Sequence, residues 1–229
     1  MKKENIFSKA IMSGVYVTFV AVVYLFTLNA TGSKLIGGLL FSFALLIIVG
    51  RDYYLYTGKI GYLLPYKDGS LKMILKTLLG NIIGIIITGS LILIANGTNI
   101  TGIALEQVEL KFNNKLWHET LILSFFCGIL MFTAVDGYKK IDDKIIRVLI
   151  VILSVVIFLL AGFEHSIANF AYLVLAKKFS FKIFIYLIGM LLGNALGAIT
   201  FNLIHNKFEQ DTKSSIWGFC IFFLLVSKL

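Results

Sequence analysis

Six long apolar segments, separated by short polar stretches, constrain this chain more than any other feature. Several exceed the roughly 18 apolar residues that mark a membrane-spanning helix. Of the 229 residues, 59% are apolar, 14% are charged and one is proline, whereas a soluble domain is about 45–50% apolar and about 25% charged. We therefore predict an all-α membrane protein, not a soluble enzyme, a disordered tail or a disulfide-stapled secreted domain. The segments are approximately 10–28, 35–64, 74–95, 117–135, 145–176 and 181–204.

The basic residues indicate orientation. A net charge of +9 could indicate nucleic acid binding, but these residues lie between apolar segments, so we expect no nucleic acid partner. Placing the N-terminus inside leaves most lysines and arginines inside, which predicts a multi-pass protein of the cytoplasmic membrane with both termini cytoplasmic.

The first segment follows Lys2 and Lys3 like a signal peptide, but no small-residue cleavage site follows it. We interpret it as an uncleaved first transmembrane helix.

The second and fifth segments are too long for one crossing. A continuous helix of about 30 residues would be about 45 Å long, against a hydrocarbon core of about 30 Å. Both segments carry polar residues in the middle, at 50–59 and 162–166. Charged groups and non-helical backbone at that depth are tolerated only inside protein or along a cavity. We predict two broken helices facing a pore, in preference to long tilted helices with interfacial extensions.

An internal repeat supports the broken helices. Leu-Gly-Asn-Ile-Ile-Gly at 79–84 recurs as Leu-Gly-Asn-Ala-Leu-Gly at 192–197. Three spans per half force the halves, about 1–113 and 114–207, into opposite orientations, an arrangement typical of transport proteins. Glycines four residues apart would let helices approach closely, and we interpret them as packing residues.

The remaining segments lie outside this repeat pattern. The longest outer connection is predicted at about 96–116, where two glycosylation sequons carry little weight. After the channel domain, 1–207, comes the C-terminal segment 208–229, whose eleven apolar residues at 216–226 are too few to span. We expect an interfacial or packing helix there.

Two cysteines, Cys127 and Cys220, lie far apart inside apolar stretches, which supports neither a disulfide nor a metal site. No nucleotide-binding loop, metal-ligand set or nucleophile–base pair occurs, so we expect no cofactor. An intramembrane enzyme using Glu164 and His165 as an acid–base pair would need a second catalytic cluster, and the sequence has none. We therefore predict that the protein is not an enzyme.

The polar centre of the fifth segment carries a specific motif. Gly-Phe-Glu-His-Ser-Ile-Ala-Asn at 162–169 resembles the signature of the formate/nitrite transporter family, whose fifth helix breaks there. Leu-Tyr-Thr-Gly at 55–58 is similar to the Leu-Phe-Thr-Gly pattern of that family's other interruption. The resemblance extends to about residue 207.

The resemblance implies an aquaporin-like protomer of six transmembrane helices, with inverted three-helix repeats and two broken helices. It also implies a homopentamer with one pore per protomer, which passes small monovalent anions such as formate, nitrite or hydrosulfide, together with protons. By position, the pore or substrate residues would be His165, Thr57, Asn169 and Glu164. The apolar constrictions would be Phe41, Leu45, Leu55 and Phe158.

The first break departs from the family pattern. Asp52, Tyr53 and Tyr54 stand where the family usually has a glycine, a small residue and an acid, and Arg51 and Lys59 add charge. These residues could line the pore. They could equally form an ion pair that ties the loop to Glu164 or to the backbone.

An anion cannot enter a dry apolar constriction without large cost. We expect His165 to supply a hydrogen bond, and a proton where the solute is a weak acid. Basic residues at the mouths would raise the local anion concentration. A neutral-solute channel of aquaporin type and a non-conducting scaffold are the alternatives. The candidate vestibule lysines are Lys139, Lys140 and Lys144 inside, and Lys177, Lys178 and Lys182 outside.

Overall fold

The computed structural model describes residues 5–112 and 115–226, with the backbone alone described at 96–98 and 209–226. Within these residues the fold is a bundle of helices. They are α1 (Ile6–Thr31), α2 (Lys34–Gly50), α3 (Tyr56–Lys59), a 3₁₀ turn (Ile60–Leu63), α4 (Ser70–Phe112), α5 (Trp117–Lys140), α6 (Lys144–Leu160), α7 (Ser166–Ala176) and α8 (Phe181–Val226).

Four stretches of the described helices are long and apolar enough to cross a membrane. The two remaining crossings are divided, into α2 with α3 and into α6 with α7. This confirms the six predicted segments and the two interruptions. The four continuous stretches are Ile6–Thr31, Ser70–Ala95, Trp117–Lys140 and Phe181–Phe208.

The two interruptions have the same backbone form. Each is five residues long, at 51–55 and 161–165, and each ends where a short helix begins. Gly162 has a φ of 69° and Asp52, at the matching position of the first break, has a φ of 51°. Glycine adopts this left-handed conformation freely and aspartate tolerates it better than most residues. Asp52 therefore preserves the turn that a glycine makes in the second half.

One asparagine from the repeated motif fixes the second break. The Asn194 side-chain oxygen accepts a hydrogen bond from the backbone N–H of Ser166, at 2.9 Å. Its amide nitrogen donates to the backbone oxygens of Ser124, at 2.8 Å, and Glu164, at 2.9 Å. One buried side chain thus ties α8, α5 and the break together.

Asn81 makes the equivalent contacts at the first break. It accepts from the backbone N–H of Tyr56, at 2.9 Å, and donates to the backbone oxygens of Ala10 and Tyr54, both at 2.8 Å. The two halves of the chain therefore share this three-bond arrangement, and the asparagine of the Leu-Gly-Asn repeat satisfies backbone groups that the interruption leaves open.

The repeated glycines are packing residues, as predicted. α1 packs along α4, and α5 packs along α8. A Cβ atom on Gly84 would collide with the backbone oxygen of Ile11, and one on Gly197 with that of Phe125. Backbone therefore lies directly against backbone at matching points of both pairs, an approach that no larger residue permits.

The prediction of a loop at 96–116 was wrong over most of its length, because α4 continues to Phe112. Its extension buries one stripe of side chains at four-residue spacing, and α4 packs against α7. Burial of such a stripe stabilises a helix whose composition looks polar. The stripe is Ile100, Ala104, Val108 and Phe112.

The C-terminal helix also differs from expectation. The polar stretch after residue 204 does not end the helix, since α8 runs unbroken from Phe181 to Val226. The segment 216–226 is therefore the end of a long helix, not a separate one. Its side chains lie outside the described residues, and the division at residue 207 stays a prediction.

We expect Gly197→Ala to destabilise the protein, because the new methyl group must displace the Phe125 carbonyl, and such overpacking costs about 1–3 kcal/mol. The matched control is Gly102→Ala, since a Cβ at Gly102 in α4 meets nothing within 4 Å. That change should be neutral or stabilising, by up to about 1 kcal/mol. Thermal unfolding of the purified protein in detergent measures both, and equal melting temperatures for the two variants would contradict the close α5–α8 contact.

Candidate functional site

His165 lies at the start of α7, where it is 4% exposed. Its Nδ1 accepts a hydrogen bond from the backbone N–H of Ala168, at 3.1 Å. Its Nε2 lies 3.0 Å from the Thr57 hydroxyl oxygen. Because Nδ1 already accepts, the hydrogen of the neutral ring is on Nε2, which donates to Thr57. The second break and the short helix that follows the first break therefore meet through this pair, and its role in a pore stays a prediction.

Aromatic rings adjoin the histidine. The Phe158 ring centroid lies 5.7 Å from that of His165, and the Phe41 ring meets Phe158 edge-on at 6.0 Å. Tyr24 in turn packs edge-on against Phe41, at 6.0 Å. Phe41 and Phe158, two of the predicted constriction residues, thus form part of one apolar wall beside the imidazole. This wall could restrict passage next to the polar centre.

The other two predicted constriction residues are also buried. Leu55 lies at the start of α3 and lines a small cavity near Asp52. Leu45 lies one helical turn after Phe41 on α2, among other core side chains. Both stay predicted constriction residues.

A cavity of about 300 Å³ reaches His165 from the side on which α1 ends. We call it the lysine chamber, because basic side chains line it. Its apolar lining includes Tyr24, Leu28 and the constriction residue Phe158. A cavity that combines basic and polar side chains with an apolar wall can bind a small anion. The polar lining residues are Lys34, Gln107, Lys111, Lys115, His165, Asn169 and Tyr172.

Glu164 is fully buried, and its carboxylate is paired on every side described. It accepts hydrogen bonds from Lys111 Nζ, at 2.8 Å, and from Lys115 Nζ. It also accepts one from Asn169 Nδ2, at 2.7 Å. Glu164 therefore holds the two lysines and the asparagine beside the chamber. Three lysines against this one carboxylate leave the chamber with a net positive charge.

The lysines of this chamber are not the ones predicted for that mouth. Lys178 pairs with Glu109, at 3.2 Å, and Lys177 ends α7 in a left-handed conformation. Neither lines the chamber, and Lys182 does not line it either. Lys111 and Lys115 were missed because they fell in the predicted loop, which gave them no defined position relative to the chamber. The apolar stripe of the α4 extension, which ends beside them, was the available signal.

A second, much smaller cavity of about 10 Å³ lies near the N-terminal end of α1, beside Asp52 and Lys59. We call it the Asp52 pocket. The Asp52 carboxylate lies 3.4 Å from Lys59 Nζ, 3.6 Å from Lys139 Nζ and 3.8 Å from Lys9 Nζ. The ion-pair interpretation of the first break is therefore correct in kind, although the partners are lysines and not Glu164. Lys59 also lies 4.3 Å above the Tyr54 ring.

Of the lysines predicted for this mouth, Lys139 lines the Asp52 pocket. Lys140 instead pairs with Asp136 one helical turn earlier, at 3.1 Å, and borders a separate cavity near Asn202. Lys144 is the exposed first residue of α6 and lines neither the lysine chamber nor the Asp52 pocket.

The lysine chamber reaches His165 and Phe158, and the Asp52 pocket, near the opposite end of α1, reaches Leu55. His165 in turn contacts Thr57. Within the described residues, no group of three or more His, Cys, Asp or Glu side chains could hold a metal ion. The arrangement can concentrate an anion, offer it hydrogen bonds, and restrict its path with apolar side chains.

The sequence and this geometry agree with one family. The family model described as formate/nitrite transporter matches residues 1–206. The chain belongs to the formate/nitrite transporter family. This confirms the resemblance carried by the motifs at 55–58 and 162–169, and members of the family are channels or transporters.

The chain is similar to a curated protein and to solved structures. "Formate channel FocA" of Haemophilus influenzae is 28% identical over 185 residues, which cover 71% of this chain and 63% of that relative. The chain thus spans less than two thirds of the relative's length. A structure titled "Pentameric formate channel with formate bound" matches at 21% identity and a TM-score of 0.76, covering 90% of this chain and 96% of that one.

A second solved structure, titled "FNT family ion channel", matches at 20% identity and a TM-score of 0.78, covering 89% of each chain. At such identities these likenesses establish the fold. They confirm the aquaporin-like protomer with its two broken helices, which accounts for the paired interruptions at 51–55 and 161–165.

We expect Glu164→Gln to destabilise the protein by at least about 2 kcal/mol, because removing one partner of a buried ion pair leaves the other charges uncompensated. The matched control is Glu109→Gln. Glu109 and Lys178 form an ion pair with both side chains more than a third exposed, and such a pair contributes about 0–1 kcal/mol. The difference in thermal unfolding midpoint between the variants measures this. An unchanged midpoint for Glu164→Gln would refute the anchoring role.

Proposed function

We propose that this protein passes small monovalent anions of weak acids, such as formate, nitrite or hydrosulfide, across the cytoplasmic membrane. The observation that carries the proposal is the His165–Thr57 pair, which joins the two breaks at the floor of a positively charged chamber. The similarity to a protein named as a formate channel, and to a structure with formate bound, supports the same solute class.

The first step is attraction. Lys34, Lys111 and Lys115 carry three positive charges against the single carboxylate of Glu164. A cleft lined by one sign of charge raises the local concentration of the opposite ion. The solute then reaches Phe158, where it loses water.

The second step is passage of the narrow part. The imidazole of His165 lies next to Phe158. The Thr57 hydroxyl accepts from its Nε2–H and keeps its own hydrogen, which can replace the water that the solute loses. A weak acid has a further route, because it can take up a proton and cross the apolar wall without charge. The charged route needs a hydrogen-bonding group at this point, since an unpaired charge in apolar surroundings is heavily penalised.

We further propose a homopentamer with both termini on the cytoplasmic side. Large apolar side chains on α2 are about half exposed in the isolated chain, among them Leu39, Leu40 and Phe43. Lipid or a second protomer must cover such a surface, and the structural neighbour with formate bound is titled pentameric. The excess of lysine and arginine on the N-terminal side supports the orientation.

A non-conducting scaffold is the second candidate, and one observation favours it. Lys59 is 7% exposed and borders the Asp52 pocket, which has room for about one water molecule. A closed mouth of this kind would stop flux. Purified protein in liposomes decides between the candidates, with formate, nitrite, hydrosulfide and lactate supplied in turn. Uptake above that of protein-free liposomes supports the channel, while no uptake of any of the four refutes it.

We expect Thr57→Val to lower formate flux at least severalfold, because valine has a similar shape but offers His165 Nε2 no hydrogen-bond partner. The matched control is Thr133→Val on α5, whose hydroxyl donates only to the backbone oxygen of Ile129 one turn earlier. Flux into liposomes containing equal amounts of protein measures the effect. A flux equal to that of the Thr133 variant would remove Thr57 from the pathway.

We expect His165→Ala to change the pH dependence of the flux, because it removes the titratable group at the narrow part. Formate uptake measured between about pH 5 and 8 tests this, with gel filtration used to establish that the variant assembles as the wild-type protein does. Uptake with an unaltered pH profile would contradict the proposed role of the imidazole.

A further inference from the structure

Two buried polar atoms beside the lysine chamber have no hydrogen-bond partner. They are the hydroxyl oxygen of Tyr172 and the side-chain oxygen of Asn169. Both residues line the chamber, and both are at most 2% exposed. Buried polar atoms are nearly always paired, so an unpaired one at a cavity indicates that something else supplies the partner.

The orientation of Asn169 follows from chemistry. Its amide nitrogen donates to the Glu164 carboxylate, at 2.7 Å. A carboxylate only accepts hydrogen bonds, so the nitrogen must face it and the amide oxygen must face away. The second N–H of this amide donates to Met190 Sδ, at 3.2 Å. Asn169 therefore has no donor left for the chamber, and an anion gains nothing from it.

Tyr172 is different, because its hydroxyl can donate. It lies on α7 three positions after Asn169, which places both residues on one face of the helix. Its ring lies 6.2 Å from that of Tyr24, another residue of the chamber. Leaving such a donor unpaired in a buried position costs free energy. A negatively charged oxygen is the strongest acceptor that could meet it.

We propose that Tyr172 is a specificity-determining residue, whose hydroxyl donates a hydrogen bond to an oxygen atom of a small oxyanion in the lysine chamber. The inference rests on the proposed function and adds a preference to it. Lys111 and Lys115 attract any anion, whereas the hydroxyl distinguishes among anions. Oxygen is a strong acceptor and sulfur a weak one, so Tyr172 favours formate or nitrite over hydrosulfide.

The test is Tyr172→Phe, which removes the hydroxyl and keeps the ring. Because the hydroxyl has no partner in the protein, its loss breaks no internal hydrogen bond, and the variant should assemble normally on gel filtration. Fluxes of formate and hydrosulfide are measured at one pH and at subsaturating concentration, with the leak of protein-free liposomes subtracted. We expect formate flux to fall about tenfold, the effect of one hydrogen bond to a charged group, and hydrosulfide flux to change less than twofold.

The matched control is Tyr66→Phe, the same change at a tyrosine that is 58% exposed and does not line the chamber. Its ratio of formate to hydrosulfide flux should equal that of the wild-type protein. If Tyr172→Phe keeps that ratio, whether both fluxes hold or both fall, the hydroxyl has no selective role and the inference is overturned while the channel function stands. A wild-type protein that passes neither ion overturns the proposed function and this inference together.

Discussion

The rest of the structure depends on one constraint, that backbone groups exposed by a break inside a membrane must find partners within the protein. Asn81 and Asn194 meet it with three hydrogen bonds each, to the first N–H of a short helix, to the carbonyl at the break and to a neighbouring helix. Each asparagine reaches its break because glycines bring the paired helices into backbone contact. The close helix packing and the asparagine hydrogen bonds therefore form one arrangement, which occurs in both halves of the chain. His165 and Thr57 meet because this arrangement positions both breaks.

The two halves share this backbone but carry different charges on it. Glu164 stands in the second break where Tyr54 stands in the first, each bound through its backbone oxygen by an asparagine. The carboxylate draws in Lys111 and Lys115, and a chamber forms around them. In the first break the acid is Asp52, which pairs with lysines beside a very small pocket. The two ends of the protomer thus differ, with a basic chamber of about 300 Å³ at one end and an ion-paired pocket of about 10 Å³ at the other.

The sequence was sufficient to predict features that depend on local chemistry. Segment length and buried polar residues predicted the breaks, and the repeated Leu-Gly-Asn motif predicted the pairing of the halves. The α4 extension was missed because its hydrophobic signal is one residue per turn within a polar stretch, and that stripe is buried only in the folded protein. Because the extension was missed, the lysines of the chamber were missed as well. Lys111 is distant from Glu164 in sequence, and no local pattern indicates which cation approaches a buried acid. Lys178, predicted for the chamber, instead pairs with Glu109.

A buried carboxylate next to an anion pathway would by itself repel the solute, so Glu164 needs an explanation. Two lysines contact it while remaining partly exposed to the chamber, at 20% and 25% of their side-chain surface. The two positive charges therefore exceed the single negative charge of the acid, whose two oxygens accept hydrogen bonds from the lysines and from Asn169. Glu164 thus holds Lys111 and Lys115 in fixed positions with little repulsion of its own. Fixed charges attract an anion without first having to be ordered, which is the advantage of a buried acid here over two free lysines.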